Sequence, residues 1–335
     1  KINKLFLYWL TSSLVLVFLI IIVGGLTRLT DSGLSITEWE LFKGILPPFS
    51  QLSWEFYFDQ YKKIPQFKLL NSDMTLNDFK IIFYWEYFHR ILARTIGLFF
   101  LIPLLFFYFS SKIDRKYMTI CCIIFFLILT QGTVGWYMVK SGLVNDVTVS
   151  HYRLSVHLSI AFIIISIIFW LIINIKSNTR KKFFNFSKTN IPFLILISLI
   201  FLQIILGAFV SGLDAGRIYQ TWPLMGYTYV PDDLIIDNFR SFINFNSESL
   251  VQFYHRNLAY LICIYILVLT IYIYKKNYKK LFRPLILVIS IVLLQIFLGI
   301  LTLVSGLNIY LASAHQISSV ILVFSAINLY FFNTK

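Results

Sequence analysis

Residue types able to do chemistry concentrate in the stretch 84–94, YWEYFHRILAR. Glu86 and His89 are three apart and share one helix face; Arg90 lies one turn beyond Glu86 and Arg94 one turn beyond that. The stretch sits inside an apolar run, where ionisable groups are energetically expensive and mark function. The pattern returns at 252–256, QFYHR, with Gln252 in place of the glutamate and His255 and Arg256 kept. A buried carboxylate beside a bound ring can take a proton or stabilise positive charge. An amide cannot do the first, so the pair of stretches predicts one reactive site and one that only accepts electrons.

Four of the five histidines, His89, His157, His255 and His315, fall one each on the second, fourth, sixth and eighth apolar runs. Each is within about ten residues of its run's outer end, so at 1.5 Å per residue at most ~15 Å deep. Two inward-facing imidazoles at matched depth in a four-helix bundle can supply both axial ligands of a haem iron. His89 would pair with His157, and His255 with His315. A lone buried histidine is more often a hydrogen-bonded core residue, but four at one depth, repeated, favour ligation. Zinc fits less well, because no cysteine or acid clusters stand beside most of them. His151, at a loop–helix boundary and without a repeat partner, is expected to be solvated. Arg90, Arg94 and Arg256 suit the anionic propionates of a haem, which guanidinium groups grip bidentately; an Arg90–Glu86 ion pair is the equal alternative. Trp39 and Trp222 either flank a porphyrin or anchor the chain at the membrane interface.

Helices must carry these residues. The 335-residue chain is 58% hydrophobic and 13% charged, a composition of polytopic membrane proteins. Eight apolar runs are long enough to span a bilayer: 5–26, 81–109, 118–139, 150–175, 191–211, 249–274, 284–305 and 310–332. The loops 110–117, 176–190 and 275–283 carry three, five and five Lys or Arg, far more than the short loops opposite. The positive-inside rule places both termini in the cytoplasm or its equivalent. The net charge of +14 is therefore topological and lipid-facing, not a nucleic-acid footprint. The first run lacks a cleavable-signal pattern and is expected to stay as a helix. Cys121, Cys122 and Cys263 all lie in apolar runs, so no loop disulfide is available.

The two halves repeat. Asp31, Gly33 and Trp39 match Asp214, Gly216 and Trp222, Gln131 matches Gln295, and His89 and His157 match His255 and His315, in order. The expected fold is all-α: two tandem four-helix bundles, 1–175 and 191–335, joined by a cytoplasmic linker 176–190. An even number of spans per half makes the repeats parallel, with a pseudo-two-fold axis along the membrane normal. In the large loop after the first run, 52–63 reads as a short helix on the interface and 75–78 as a capping box. This loop and its acidic counterpart 212–248 either close the outer face or touch substrate.

The motifs GGLTRLTDSGLSITEW (24–39), EYFHR (86–90), TQGTVGWYMVKSGL (130–143), LGAFVSGLDAG (206–216), YHRNLAY (254–260), LGILTLVSGL (298–307) and AHQ (314–316) resemble those of the haem A synthase family, over almost the whole chain. The resemblance implies that His89 and His157 hold substrate haem O, that His255 and His315 ligate a bound haem b, and that Glu86 is the catalytic acid. It implies oxidation of a ring methyl by successive hydroxylations, with loss of water leaving a formyl group. Implied partners are an electron acceptor, the enzyme that prenylates haem b to haem O, and the terminal oxidase receiving the product. Without an outer-loop cysteine pair, the chain is similar to the branch found in proteobacteria and mitochondria, which implies a bacterial inner membrane or, alternatively, the mitochondrial one. The competing readings are a di-haem b cytochrome that only transfers electrons and a transporter built from parallel repeats. One histidine per helix at a single depth serves charge transfer across a bilayer poorly, and a transporter has no need of four matched histidines.

Overall fold

The computed structural model describes residues 4–38, 43–145, 147–234 and 238–334. Among these, regular structure is helical: α1 Lys4–Leu29, α2 Gln51–Tyr61, α3 Pro65–Leu70, α4 Leu76–Ser110, α5 Arg115–Asn145, α6 His151–Lys176, α7 Ile191–Gly212, α8 Phe239–Phe242, α9 Glu248–Lys275, α10 Phe282–Val304 and α11 Ile309–Asn333, with three single 3₁₀ turns. Eight of them (α1, α4, α5, α6, α7, α9, α10, α11) are long and apolar enough to cross a membrane, and they match the eight expected runs. α4 begins about a turn earlier than expected. The reason is the capping box: Thr75 Oγ1 accepts from the Asp78 amide at 3.3 Å, and Asp78 Oδ2 accepts from the Thr75 amide at 3.1 Å. His89 therefore lies deeper along its helix than the other three histidines, which fall within about two turns of their helix starts.

The chain divides into two compact units, Lys1–Ile168 and Phe169–Lys335, with the break inside α6. In the first, α1 packs on α4 and α4 on α5. An aromatic seam fills the α1–α4 contact: Trp9 and Phe100 have ring centroids 4.7 Å apart, and Phe6 meets Phe107 edge-on at 5.5 Å. The expected helix at 52–63 is α2, seated by Ser50 as N-cap. With α3 it buries Trp54, Phe58 and Tyr61 against Phe79 and Phe83 of α4. Buried Gln66 fastens this helix pair, donating to the Asp31 carbonyl at 3.1 Å and accepting from Tyr61 Oη at 3.0 Å.

In the second unit, α7 packs on α9 and α11, and α10 on α11. The stretch after α6 is packed rather than trailing. Its Lys181 Nζ donates to the carbonyls of Phe331 and Thr334 at the end of α11, and its Phe183 carbonyl accepts from Tyr330 Oη. α1 and α7 end in the same way, on an aspartate in the left-handed region, Asp31 at φ 51° and Asp214 at φ 52°. Aspartate tolerates that conformation better than most side chains; Ser111, Asn178 and Asn277 adopt it after α4, α6 and α9.

Candidate functional site

In the first unit α4 and α6 bring His89 and His157 together, with ring centroids 6.5 Å apart and planes 41° to each other. Both Nδ1 atoms are buried without a hydrogen-bond partner. α1 and α5 admit the rings through glycine. A Cβ on Gly24 would stand 2.8 Å from His89 Cε1, and one on Gly135 would stand 2.9 Å from His157 Cε1, nearer than real Cβ atoms approach anything. In the second unit Gly207 of α7 faces His255 and Gly299 of α10 faces His315, where a Cβ would come to 3.2 and 3.1 Å. Each histidine-bearing helix thus meets a helix that offers a glycine at the imidazole.

Three of these glycines have a glutamine one turn earlier: Gln131, Gln203 and Gln295. Gln203 Nε2 donates to the backbone carbonyl of His255 at 2.9 Å, and Gln295 Nε2 donates to that of His315, also at 2.9 Å. His315 Nδ1 in turn lies 3.0 Å from the Gln295 carbonyl. The position one turn before Gly24 is Ile20.

Glu86 is buried, and each of its oxygens accepts two bonds. Oε2 takes Ser35 Oγ and the Ile36 amide, both at 2.8 Å; Oε1 takes Arg90 Nε at 3.0 Å and Nη2 at 2.5 Å. Of the two roles open to Arg90, the ion pair is the one formed. The same guanidinium reaches the carbonyls of Ile36 and Glu38, so α4 grips the loop that leaves α1. Arg94 reaches the Gly44 carbonyl at 3.3 Å. The second unit repeats the grip without the acid. Gln252 Nε2 and Arg256 Nη2 both donate to the Tyr219 carbonyl at 2.9 Å, and Arg256 Nη1 donates to Leu224 O at 3.2 Å. Among the described residues no carboxylate pairs with Arg256. Tyr219 is itself held through Oη to Asp233, which Ser249 also caps, both bonds at 2.5 Å.

The donor set suits a haem. A metal–imidazole bond is about 2 Å long, so two imidazoles on opposite sides of one metal atom have ring centres about 6 Å apart, the separation His89 and His157 show. Among the described residues no group of three or more His, Cys, Asp or Glu gathers as a tetrahedral metal site would need.

Comparison with known proteins decides the family. The model of the COX15-CtaA family, described as cytochrome oxidase assembly protein, matches residues 7–327. The chain belongs to this family. Curated relatives named Heme A synthase include one from Pelagibacter ubique (strain HTCC1062), 49% identical over 95% of this chain and 93% of the relative. Another is from Rickettsia bellii, 42% identical over 94% of each, and a third is from Rickettsia felis, 41% identical over 96% of each. With eight membrane-capable helices, this family member is a multi-pass membrane protein, and its bacterial relatives fit an inner membrane.

Against this, the residues singled out by sequence fare as follows. His89 and His157 are brought together, while His255 and His315 each face a glycine of a neighbouring helix, Gly207 and Gly299. Trp222 is half exposed and bonds Tyr260 Oη at 3.0 Å; Trp39 lies outside the described residues. His151 is not solvated: it is buried at the start of α6, its ring 4.1 Å from that of Tyr152. Sequence reasoning assigned no role to Ser35, Ile36, Gly135, Gln203 and Gly299. The repeated Gln-x-x-x-Gly at 131–135, 203–207 and 295–299 is the signal that could have found the last three.

Proposed function

We propose that this chain is a haem A synthase, an oxidoreductase that converts the ring methyl of haem O to a formyl group in haem A biosynthesis. The methyl carbon is hydroxylated twice, each a two-electron oxidation, and the geminal diol loses water. The observation that carries the reading is the His89–His157 pair at axial-ligand separation, in a chain whose curated relatives bear that name. In this reading His89 and His157 hold the substrate haem O. His255 and His315 hold a haem b, which when bound supplies one-electron transfer toward an acceptor. His89, His157 and His255 each keep a buried Nδ1 without a partner in the protein, at about 1–3 kcal/mol each, whereas His315 Nδ1 faces the Gln295 carbonyl.

Glu86 is the acid–base residue. Its four donors fix the carboxyl group three residues before His89 and occupy both oxygens, so passing a proton through it displaces one of these donors. Gln252 cannot exchange a proton, which confines the chemistry to the first unit and argues against a purely electron-transferring cytochrome. Arg256, whose acceptors are neutral carbonyls, carries the charge to receive a haem propionate in the second unit. Arg90 is neutralised by Glu86 and holds the loop instead. The α2–α3 lid shields the first site from the outer phase. Both termini are cytoplasmic. Partners are the enzyme that supplies haem O and the terminal oxidase that takes haem A.

The test is expression with and without a source of haem O, followed by extraction and chromatography of the haems. Haem A should appear only when haem O is supplied, and Glu86→Gln should retain haem while making none. A fixed haem b content with no haem A from the wild type would refute the enzyme reading.

A further inference from the structure

The two histidine pairs are not held equally. In the second unit both histidines meet the same device: a glycine receives the ring, and a glutamine one turn earlier donates to that histidine's own backbone carbonyl at 2.9 Å. The carbonyl of a residue within a helix already accepts from the amide four residues on, so the glutamine adds a second bond at the level of the ligand. An interhelical side-chain bond of this kind fixes one helix against another where no water competes. In the first unit His157 faces Gly135 with Gln131 one turn before it, but the Gln131 side chain makes no bond to the His157 carbonyl and its Oε1 is left unpartnered, and His89 faces Gly24 with Ile20 in the corresponding place. Isoleucine has no donor. His89 is also the histidine that shares its helix face with Glu86.

We infer that Gln203 and Gln295 are positioning residues that lock His255 and His315 around a resident haem, and that Ile20 leaves His89 unlocked so that the haem of the first pair can be exchanged. This rests on the reading above, in which the first site must release one haem and accept another each cycle while the second keeps its own. A ligand helix pinned at the carbonyl of the ligand moves less. The pair with both pins should lose its haem slowly, and the pair without them should lose it fast.

The experiment measures haem release from the purified full chain in detergent to excess apomyoglobin, followed by absorbance, beside low-spin electron paramagnetic resonance of the bound haems. For the wild type, a fast and a slow phase are expected. Gln203→Leu and Gln295→Leu should each speed the slow phase about three- to fifteen-fold and broaden its low-spin signal, with the fast phase unchanged. Ile20→Gln should slow the fast phase by a similar factor, a gain that a misfolded variant would not give. Unchanged slow phases in both glutamine variants, or an unchanged fast phase in Ile20→Gln, would overturn the inference. Lowered thermal stability without any change in release or signal would also overturn it, assigning the glutamines a merely structural role. Haem A formation by the wild type is scored separately. Its absence alongside the expected release rates would refute the enzyme reading and leave the locking intact.

Discussion

Replacing Glu86 by glutamine should destabilise the first unit by an amount its geometry sets. The carboxylate is almost wholly buried and receives two bonds from Arg90, one from Ser35 Oγ and one from the Ile36 amide. A glutamine there can accept from Ile36 and Ser35 through Oε1, but its amide nitrogen then faces the Arg90 donors. Removing one partner of a buried ion pair costs about 3–5 kcal/mol. Arg90 keeps the Ile36 and Glu38 carbonyls, so the lower end, about 3 kcal/mol, is expected. The assay is equilibrium unfolding in mixed micelles, wild type against Glu86→Gln and Glu86→Asp, with the aspartate recovering part of the loss because it keeps the charge. Gln252→Glu supplies the converse: a carboxylate beside Arg256, which has only carbonyl acceptors, should be tolerated better at position 252 than loss of the acid is at position 86. Unfolding of Glu86→Gln within about 1 kcal/mol of wild type would refute the reasoning, because the carboxylate would then not be compensating Arg90.

The four glycines predict a graded series. Gly24→Ala and Gly135→Ala place a methyl under 3.0 Å from the imidazole and should reduce retained haem about ten-fold or more, measured as haem per protein after purification. Gly207→Ala and Gly299→Ala, at 3.2 and 3.1 Å, should reduce it less, and equal effects at all four would contradict the geometry. Thr75→Ala removes one half of the capping box and should cost about 1 kcal/mol, read from the same unfolding curves, with α4 fraying at its start. Burial works against ionisation of Asp233, but bonds from Ser249 and Tyr219 outweigh it and hold the carboxyl below its ordinary 3.8. A depressed value means the tie is complete above that ordinary value and fades as pH falls through the lowered one. Proteolysis of the 213–247 loop should therefore accelerate only under strongly acidic conditions, and in Asp233→Asn at every pH.

Most of the fold was legible because the bilayer imposes its own ruler: apolar run length located all eight long helices, and only the ends moved, as at α4, where the Thr75–Asp78 box sets the start. The His89–His157 pair was legible from spacing and repetition. What surrounds the site was not, since Ser35 and Ile36 reach Glu86 across about fifty residues and a sequence carries no sign of which loop closes on which helix. The choice of Arg90 between a propionate and Glu86 had the same origin: spacing permits the pair, and only burial of both groups favours it. His151 was misjudged because a position at a loop–helix junction reads as exposed, whereas the start of α6 is covered.

Lys181 carries a consequence for synthesis. Its ammonium caps the Phe331 and Thr334 carbonyls, groups about 150 positions later in the chain. While the ribosome is still making that interval, the lysine has no such acceptors. Only when α11 has been translated can the clasp close, so this tie between the stretch after α6 and the last helix end is among the latest the growing chain can make.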